Sequence, residues 1–319
     1  AILAKVVFGT FAVIRSMSPT WLIGSARLFI LILSAAILHQ SVNGSRPQPE
    51  VPTLQAIVGR HRGSLQTWAS EHSERGNIED SSNWACQQLK PPSPDGSMYN
   101  LWQPNKEWYG QLQQDKRLEE TMFSNMHDAF FIESGAADGE VNSNTLHFEK
   151  KGWSGLLVEP HLHTFKTLMG KNRKAYAFNG ALSVTGKPGK MYLDLSDCAG
   201  YEGDGECSKL VSEPHDNAVM VPLAPLHELL LSCLKRSTVD FWSLDVEGVE
   251  SKILQSFPFE KIEVGVLLIE MNKSEENTEG VMSVMAKHGF KECGTTELDR
   301  IYVNPQYFTK RGLHTPVEC

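Results

Sequence analysis

The sequence predicts an α/β domain built on a mostly parallel sheet with helices on both faces. Two observations predict it. Short apolar runs rich in Phe, Val, Leu and Ile recur from about residue 130 onward, and stretches with helical spacing separate them. Parallel neighbours need a crossover between them, and alternating strands and helices supply one. Such crossovers are right-handed.

The elements follow in order. QLQQDKRLEETMFSNM, from Gln111, has helical spacing, and FFIE is a short buried strand. SNTLHFEKK reads as a helix capped by Ser143 or Asn144. GLLVEP is a second strand, HTFKTLMGK a helix and KAYAFNGALS a third strand. GKMYLDLS follows a glycine-rich turn as an edge strand, and PLAPLHELLLSCLKR reads as a helix. VDFWSLDVEG is a fourth strand and VESKILQSF a helix; VGVLLIEMN is a fifth strand and TEGVMSVMAKHGF a helix. GFKECGTTELDRIYVNP supplies a closing hairpin.

The chain has 319 residues, with 41% hydrophobic and 21% charged content, which is ordinary for a globular protein. A net charge of −8 argues against a general nucleic-acid binder, which needs a basic face. Lys150, Lys151, Lys166, Lys171, Arg173 and Lys174 form a local basic cluster, read as a solvated surface rather than an anion site.

Upstream of the domain the pattern differs. Residues 28–38, LFILILSAAIL, form an uncharged apolar run behind Arg27. The run is short for a bilayer span and of the right length for a signal peptide, with Ser34 and Ala36 at a plausible cleavage spacing. The first Met is Met17, so residues 1–16 are expected to be upstream translation and 17–40 the signal peptide. The alternative is a signal anchor over Trp21 to Leu38 that attaches a lumenal domain to the membrane. Residues 41–110 carry RPQPEVP and LKPPSPDGS and read as a Pro/Ser-rich linker with one local helix; 111–319 is the domain.

Six cysteines behind a signal sequence point to disulfides, with 15 possible pairings. Cys198 and Cys207, bracketing the acidic loop CAGYEGDGEC, are the expected pair. Asn43 and Asn272 head glycosylation sequons, meaningful in a lumenal chain.

The chemistry lies at the strand ends. In a sheet of this kind, ligands bind beyond the carboxyl ends of the strands. Glu133, Gly135, Ala136, Asp138 and Gly139 follow the first strand in FFIESGAADGE. Glycines there let the backbone turn tightly and approach a ligand. The dinucleotide fingerprint GxGxxG is absent. Glu159 ends the second strand, where a carboxylate can take both hydroxyls of a ribose. Asp245, Glu247, Gly248 and Glu250 end the fourth strand, and Glu270 the fifth. A single such acid is usually a cap or a solvated loop residue; four strand ends on one rim point to a site. Clustered carboxylates suit a ligand that carries positive charge.

QDKRLEE, FFIESGAADGEVNSNTLHFE, WSGLLVEP, NRKAYAFNGALS and VDFWSLDVEGVESKIL resemble, in order and spacing, the FkbM family of S-adenosylmethionine-dependent methyltransferases. The likeness covers about 60% of the chain, Gln111 to Pro305, and is closest to the metazoan Star-like branch. It implies a seven-stranded, Rossmann-like class I methyltransferase sheet and S-adenosylmethionine as cofactor. Glu133 to Gly139 would surround the methionine part, Glu159 would hold the ribose, and Phe178 to Ala181 would border the adenine. Asp245 would lie beside the transferring methyl group. The general-base candidates are Asp245, Glu247, Glu270 and the histidines His161 and His163. No metal is expected, with a divalent ion on Asp245 and Glu270 as the lesser alternative.

The sequence departs from the family pattern at Glu133, where many members have Asp. It departs again at Ser243, where Lys is typical, and at His227, where Asp is common. Trp153 and Trp242 read as core residues. The expected activity is O-methyl transfer in the secretory pathway or outside the cell, to an unidentified small-molecule, glycan or protein acceptor. The alternative is a non-catalytic Star-like binding or trafficking protein with a protein cargo.

Overall fold

The computed structural model describes residues 81–196, 208–271 and 273–313. Helix α1 (Ser81–Gln88) opens this part, and α2 (Gln114–Leu118) continues into a wider turn over Glu119–Phe123. The chain then runs β1 (Phe130–Ser134), α3 (Leu146–Lys150), β2 (Ser154–Glu159), α4 (Leu162–Gly170) and β3 (Tyr176–Asn179). Next come β4 (Ala181–Leu182), β5 (Gly189–Asp194), β6 (Lys209–Val211), β7 (Ala218–Ala224) and the wide-turned helix α5 (Glu228–Cys233). The last elements are β8 (Thr238–Leu244), α6 (Glu250–Ser256), β9 (Glu263–Glu270), α7 (Glu275–Lys287), β10 (Lys291–Thr295), β11 (Asp299–Val303) and α8 (Pro305–Lys310).

Seven strands form the main sheet in the order β3-β2-β1-β8-β9-β11-β10. Pairing from β3 to β9 is parallel, and β11 runs antiparallel to both its neighbours. This is the class I methyltransferase sheet.

The central strands read as continuous apolar runs because both faces are covered. Along β1, Phe130 and Ile132 enter one core with Val158, Trp242, Leu267 and Ile269. Phe131 enters the other, with Leu157, Phe241, Val266 and Leu268. Trp153 and Trp242 are buried in these cores, as expected.

Between β3 and β8 the chain builds a second sheet, β4-β7-β5-β6. The sequence reads residues 189–196 as an edge strand, whereas β5 covers Gly189–Asp194 and lies inside the second sheet, paired with β6 and β7. It also reads PLAPLHELLLSCLKR as one helix, whereas Pro222 to Ala224 belong to β7. Ser143 and Asn144 are not the formal cap of α3, which is Thr145. Ser143 Oγ nevertheless accepts from the Leu146 amide at 3.1 Å and does a cap's work.

The segment ahead of β1 lies along the domain. Lys90 bridges to Ala177, and the Ser93 and Asn100 amides donate to the Arg173 and Lys171 carbonyls at 3.0 and 2.9 Å. Cys86 in α1 is disulfide-bonded to Cys233 in α5, closing a loop of 147 residues. A crosslink of that span stabilises by about 4–5 kcal/mol through lost chain entropy in the unfolded state. The expected Cys198–Cys207 pair, the apolar run 28–38 and both sequons lie outside the described residues. Among the described residues, no helix is long and apolar enough to cross a membrane.

Candidate active site

A cleft opens over the carboxyl ends of β1, β2 and β8, with about 960 Å³ of empty space, its open mouth included. Glu133, Gly135, Ala136, Glu159, Asp245 and Glu247 all line it. Asn142 to Asn144 close one side, and Ala181, Leu182, Leu193, Leu210, Val246, Val249 and Ile253 give it an apolar wall.

Gly135 is set by backbone packing. Its φ is +83°, and the Asp245 N–H donates to the carbonyl of neighbouring Ser134 at 3.0 Å. A Cβ at Gly135 would collide with the Asp245 carbonyl oxygen. Glycine thus lets the loops after β1 and β8 meet.

Glu133 is 4% exposed. Its Oε2 accepts from Ser143 Oγ at 2.9 Å and Thr145 Oγ1 at 2.7 Å, and its Oε1 from the Asn144 amide at 2.6 Å. Burial raises its carboxyl above the ordinary range, against the pull of Arg173 and these donors. Arg173 stands behind this network. Its Nε donates to Glu149 at 3.0 Å, its Nη2 to Thr145 Oγ1 at 3.2 Å and its Nη1 to the Gly139 carbonyl. Glu133 therefore lines the cleft while its carboxylate holds the 143–145 loop in place.

Asp138 and Gly139, expected beside the cofactor, do not line the cleft. Asp138 is fully buried, and its Oδ1 accepts from the Glu140 and Val141 amides, both at 2.8 Å. Gly139, at φ +80°, packs against Leu168 and turns the chain toward Glu140. Glu140 binds the Trp102 and Gln103 amides at 2.8 and 2.6 Å and Lys171 Nζ at 2.6 Å. Burial alone would raise Glu140, but Lys171 and the two amides outweigh it and hold the carboxyl low.

Lys171 and Arg173 are 2% and 3% exposed, which overturns their reading as solvated surface; Lys150, Lys151 and Lys166 are exposed as expected. The two buried cations are paired with Glu140 and Glu149, as burial of charge requires.

Glu159 ends β2 and is 2% exposed. Its Oε2 accepts from the Ala137 amide at 2.9 Å and its Oε1 from the His161 amide at 2.7 Å. Burial pushes its carboxyl up to about 8, and the two amides only partly counter this. Each oxygen keeps a lone pair beyond its single protein donor. His161 turns its ring to Thr164 Oγ1 at 2.6 Å, and neither it nor His163 lines the cleft. Phe178 is fully buried, packed edge-on to Trp84, and borders the core rather than the cleft. Ala181 and Leu182 line the cleft at that end instead.

The rim after β8 and β9 is more crowded. Oxygens of Asp245, Glu247 and Glu270 lie within 4.8 Å of one another. Lys273 Nζ reaches Glu247 at 2.7 Å and Glu270 at 3.2 Å. Burial, then the neighbouring Glu270 and Glu247, push Asp245 well above the carboxylate range. Burial also raises Glu247, with Lys273 opposing, while Lys273 is itself raised, its two carboxylates outweighing its own burial. Glu250 belongs elsewhere: its Oε1 accepts from the Val246 and Gly248 amides at 2.9 and 3.2 Å and shapes the turn. Ser243, also in the cleft, accepts from Asn144 Nδ2 at 3.0 Å.

Sequence reasoning missed Lys273, the Asn142–Asn144 loop and the wall from the second sheet. Lys273 had a signal, standing three residues after Glu270; the others had none locally.

A sheet of this order with a cleft over its strand ends defines a class I methyltransferase fold. A model of the methyltransferase FkbM domain matches residues 133–292, just over half of the chain, and the chain belongs to that family. The structure is similar to the METTL16 MTase domain at 11% identity and TM-score 0.35, over 60% of this chain and 66% of that one. It is also similar to a TehB-like SAM-dependent methyltransferase from Corynebacterium glutamicum at 8% identity and TM-score 0.34, over 60% of this chain and 87% of that one. Comparison with curated proteins finds no match.

Proposed function

We propose that this chain is an S-adenosylmethionine-dependent O-methyltransferase of the secretory pathway or extracellular space. The observation that carries the reading is Glu159, a buried carboxylate at the end of β2 facing the same cleft as Gly135, Ala136 and Asp245. Its spare lone pairs fit the two hydroxyls of a ribose, and the apolar wall at Ala181 and Leu182 fits a flat base. The acidic side at Asp245 suits a sulfonium charge.

When bound, S-adenosylmethionine supplies a methyl group already activated on sulfur. The chain's own residues then orient the partners and manage one proton. Glu159 fixes the nucleoside, and the 135–137 backbone positions the methionine part. Asp245, with its proton affinity raised, is placed to receive the proton of an acceptor hydroxyl. In-line alignment supplies much of the acceleration. Support for an oxidising compartment comes from the Cys86–Cys233 bridge and from Cys293, which is also disulfide-bonded.

Calorimetric titration with S-adenosylmethionine tests this reading. Binding by the native chain, weakened about tenfold or more in Glu159→Ala, is the expected result. No binding at millimolar ligand overturns it and favours the second reading, a Star-like binding or trafficking module with a protein cargo. One observation favours that alternative: Ser243, where the resemblance makes Lys typical, offers only a hydroxyl, and that is tied to Asn144.

A further inference from the structure

We propose that Asp245, Glu247 and Glu270 form a binding site for a hard divalent cation, with Lys273 as the counter-ion that the metal displaces. The three carboxylates come from two strand ends and one turn, and their oxygens lie within 4.8 Å of one another. Two oxygens bound to one Mg²⁺, Mn²⁺ or Ca²⁺ are separated by at most about 4–5 Å, because each metal–oxygen bond is about 2.0–2.6 Å. The spacing therefore needs no rearrangement of the backbone.

Proximity of acids alone does not make a site. The second observation is Glu270 Oε2, a buried atom with no hydrogen-bond partner, on a residue 6% exposed. A buried carboxylate oxygen left without a donor is costly. The deeply buried acids that line the neighbouring cleft have their oxygens answered, Glu133 by Ser143, Asn144 and Thr145 and Glu159 by two amides, and the orphaned Oδ2 of buried Asp138 has Lys171 at 3.7 Å. Lys273 meets the other Glu270 oxygen at 3.2 Å, and the side chain that hydrogen-bonds Glu270 from the β8 end is Asp245, itself an acid.

The turn supports the same reading. Glu247 sits at φ +62° and Gly248 at φ +101°, an arrangement held by Glu250 through the Val246 and Gly248 amides. A glutamate in the left-handed region costs about 1–2 kcal/mol. That conformation brings Glu247 to the pair formed by Asp245 and Glu270. Lys273 supplies one positive charge to three carboxylates, and its side chain is 28% exposed, so it can swing out to water when a metal enters. A cation at this position borders the cleft. If the methyltransferase reading holds, it would acidify an acceptor hydroxyl there, and Asp245 would then serve as its ligand in place of the proton-accepting role.

The test uses Mn²⁺ alone with the full chain and no S-adenosylmethionine, so its outcome is separate from that of the cofactor titration. Loss of the free-ion electron paramagnetic resonance signal reports binding. The expected result is one site per chain, weakened about tenfold or more in Glu270→Gln and in the more exposed Glu247→Gln, and strengthened in Lys273→Ala. Retention of native affinity in both glutamine variants overturns the proposal and marks an adventitious ion only. Absence of binding by both the native chain and Lys273→Ala at millimolar Mn²⁺ also overturns it. Glu247→Gln keeps the test sharp where Glu270→Gln does not fold.

Discussion

The two ends of the cleft use the same residue type in opposite ways. On the β1 side, Glu133, Glu140 and Glu149 are buried, yet each carboxylate faces hydroxyls, amides or a cation. On the β8–β9 side, Asp245, Glu247 and Glu270 face one another, with Lys273 as the nearby cation and one buried Glu270 oxygen unanswered. A matched carboxylate rigidifies its loop, whereas a crowded one holds free energy that a cationic ligand can release. The first region is framework, and the second is where binding chemistry belongs.

The comparison breaks most visibly at Arg173. Replacing it with Ala strips Glu149, Thr145 and the Gly139 carbonyl of a buried partner. Urea unfolding should show a loss of about 3–5 kcal/mol, the cost of leaving a buried charge unpaired. A loss below about 1 kcal/mol would mean that the β1 side is not framework.

Glu159 stands between the two regions and sets a pH dependence. An unfolded glutamate releases its proton near 4.5, while burial holds this one to about 8. Within that window the native state binds the extra proton, so stability falls as pH rises, by about 1.4 kcal/mol per unit from this residue. Thermal unfolding of Glu159→Gln across the window should show a correspondingly flatter slope. Identical slopes would place the native carboxyl in its ordinary range.

The smallest effect is expected on the crowded side. Asp245→Asn removes one acid from the trio, so stability should hold or rise by about 1 kcal/mol in the same urea assay. A loss of several kcal/mol would make Asp245 framework too, and the contrast would dissolve.

The acids at the strand ends were legible because apolar runs stop abruptly at Glu133, Glu159, Asp245 and Glu270. The alternation of buried strands and helices gave the sheet by the same signal. The second sheet was not legible. β6 is only three residues, and β7, an interior strand, carries Pro222, which counts against a strand reading. Lys171 and Arg173 read as surface because charge is seldom buried. Their partners Glu140 and Glu149 lie 31 and 24 residues away, beyond any local pattern. Phe178 misled because the apolar run AYAF does not reveal which side chains face the core and which the cleft.

The most direct measurement is a crystal structure with S-adenosylhomocysteine, the demethylated product. The ribose is predicted to sit on the Glu159 carboxylate, with the sulfur beside Asp245 and the base against Ala181 and Leu182. A nucleoside bound elsewhere, or a ribose that leaves Glu159 untouched, would contradict the account.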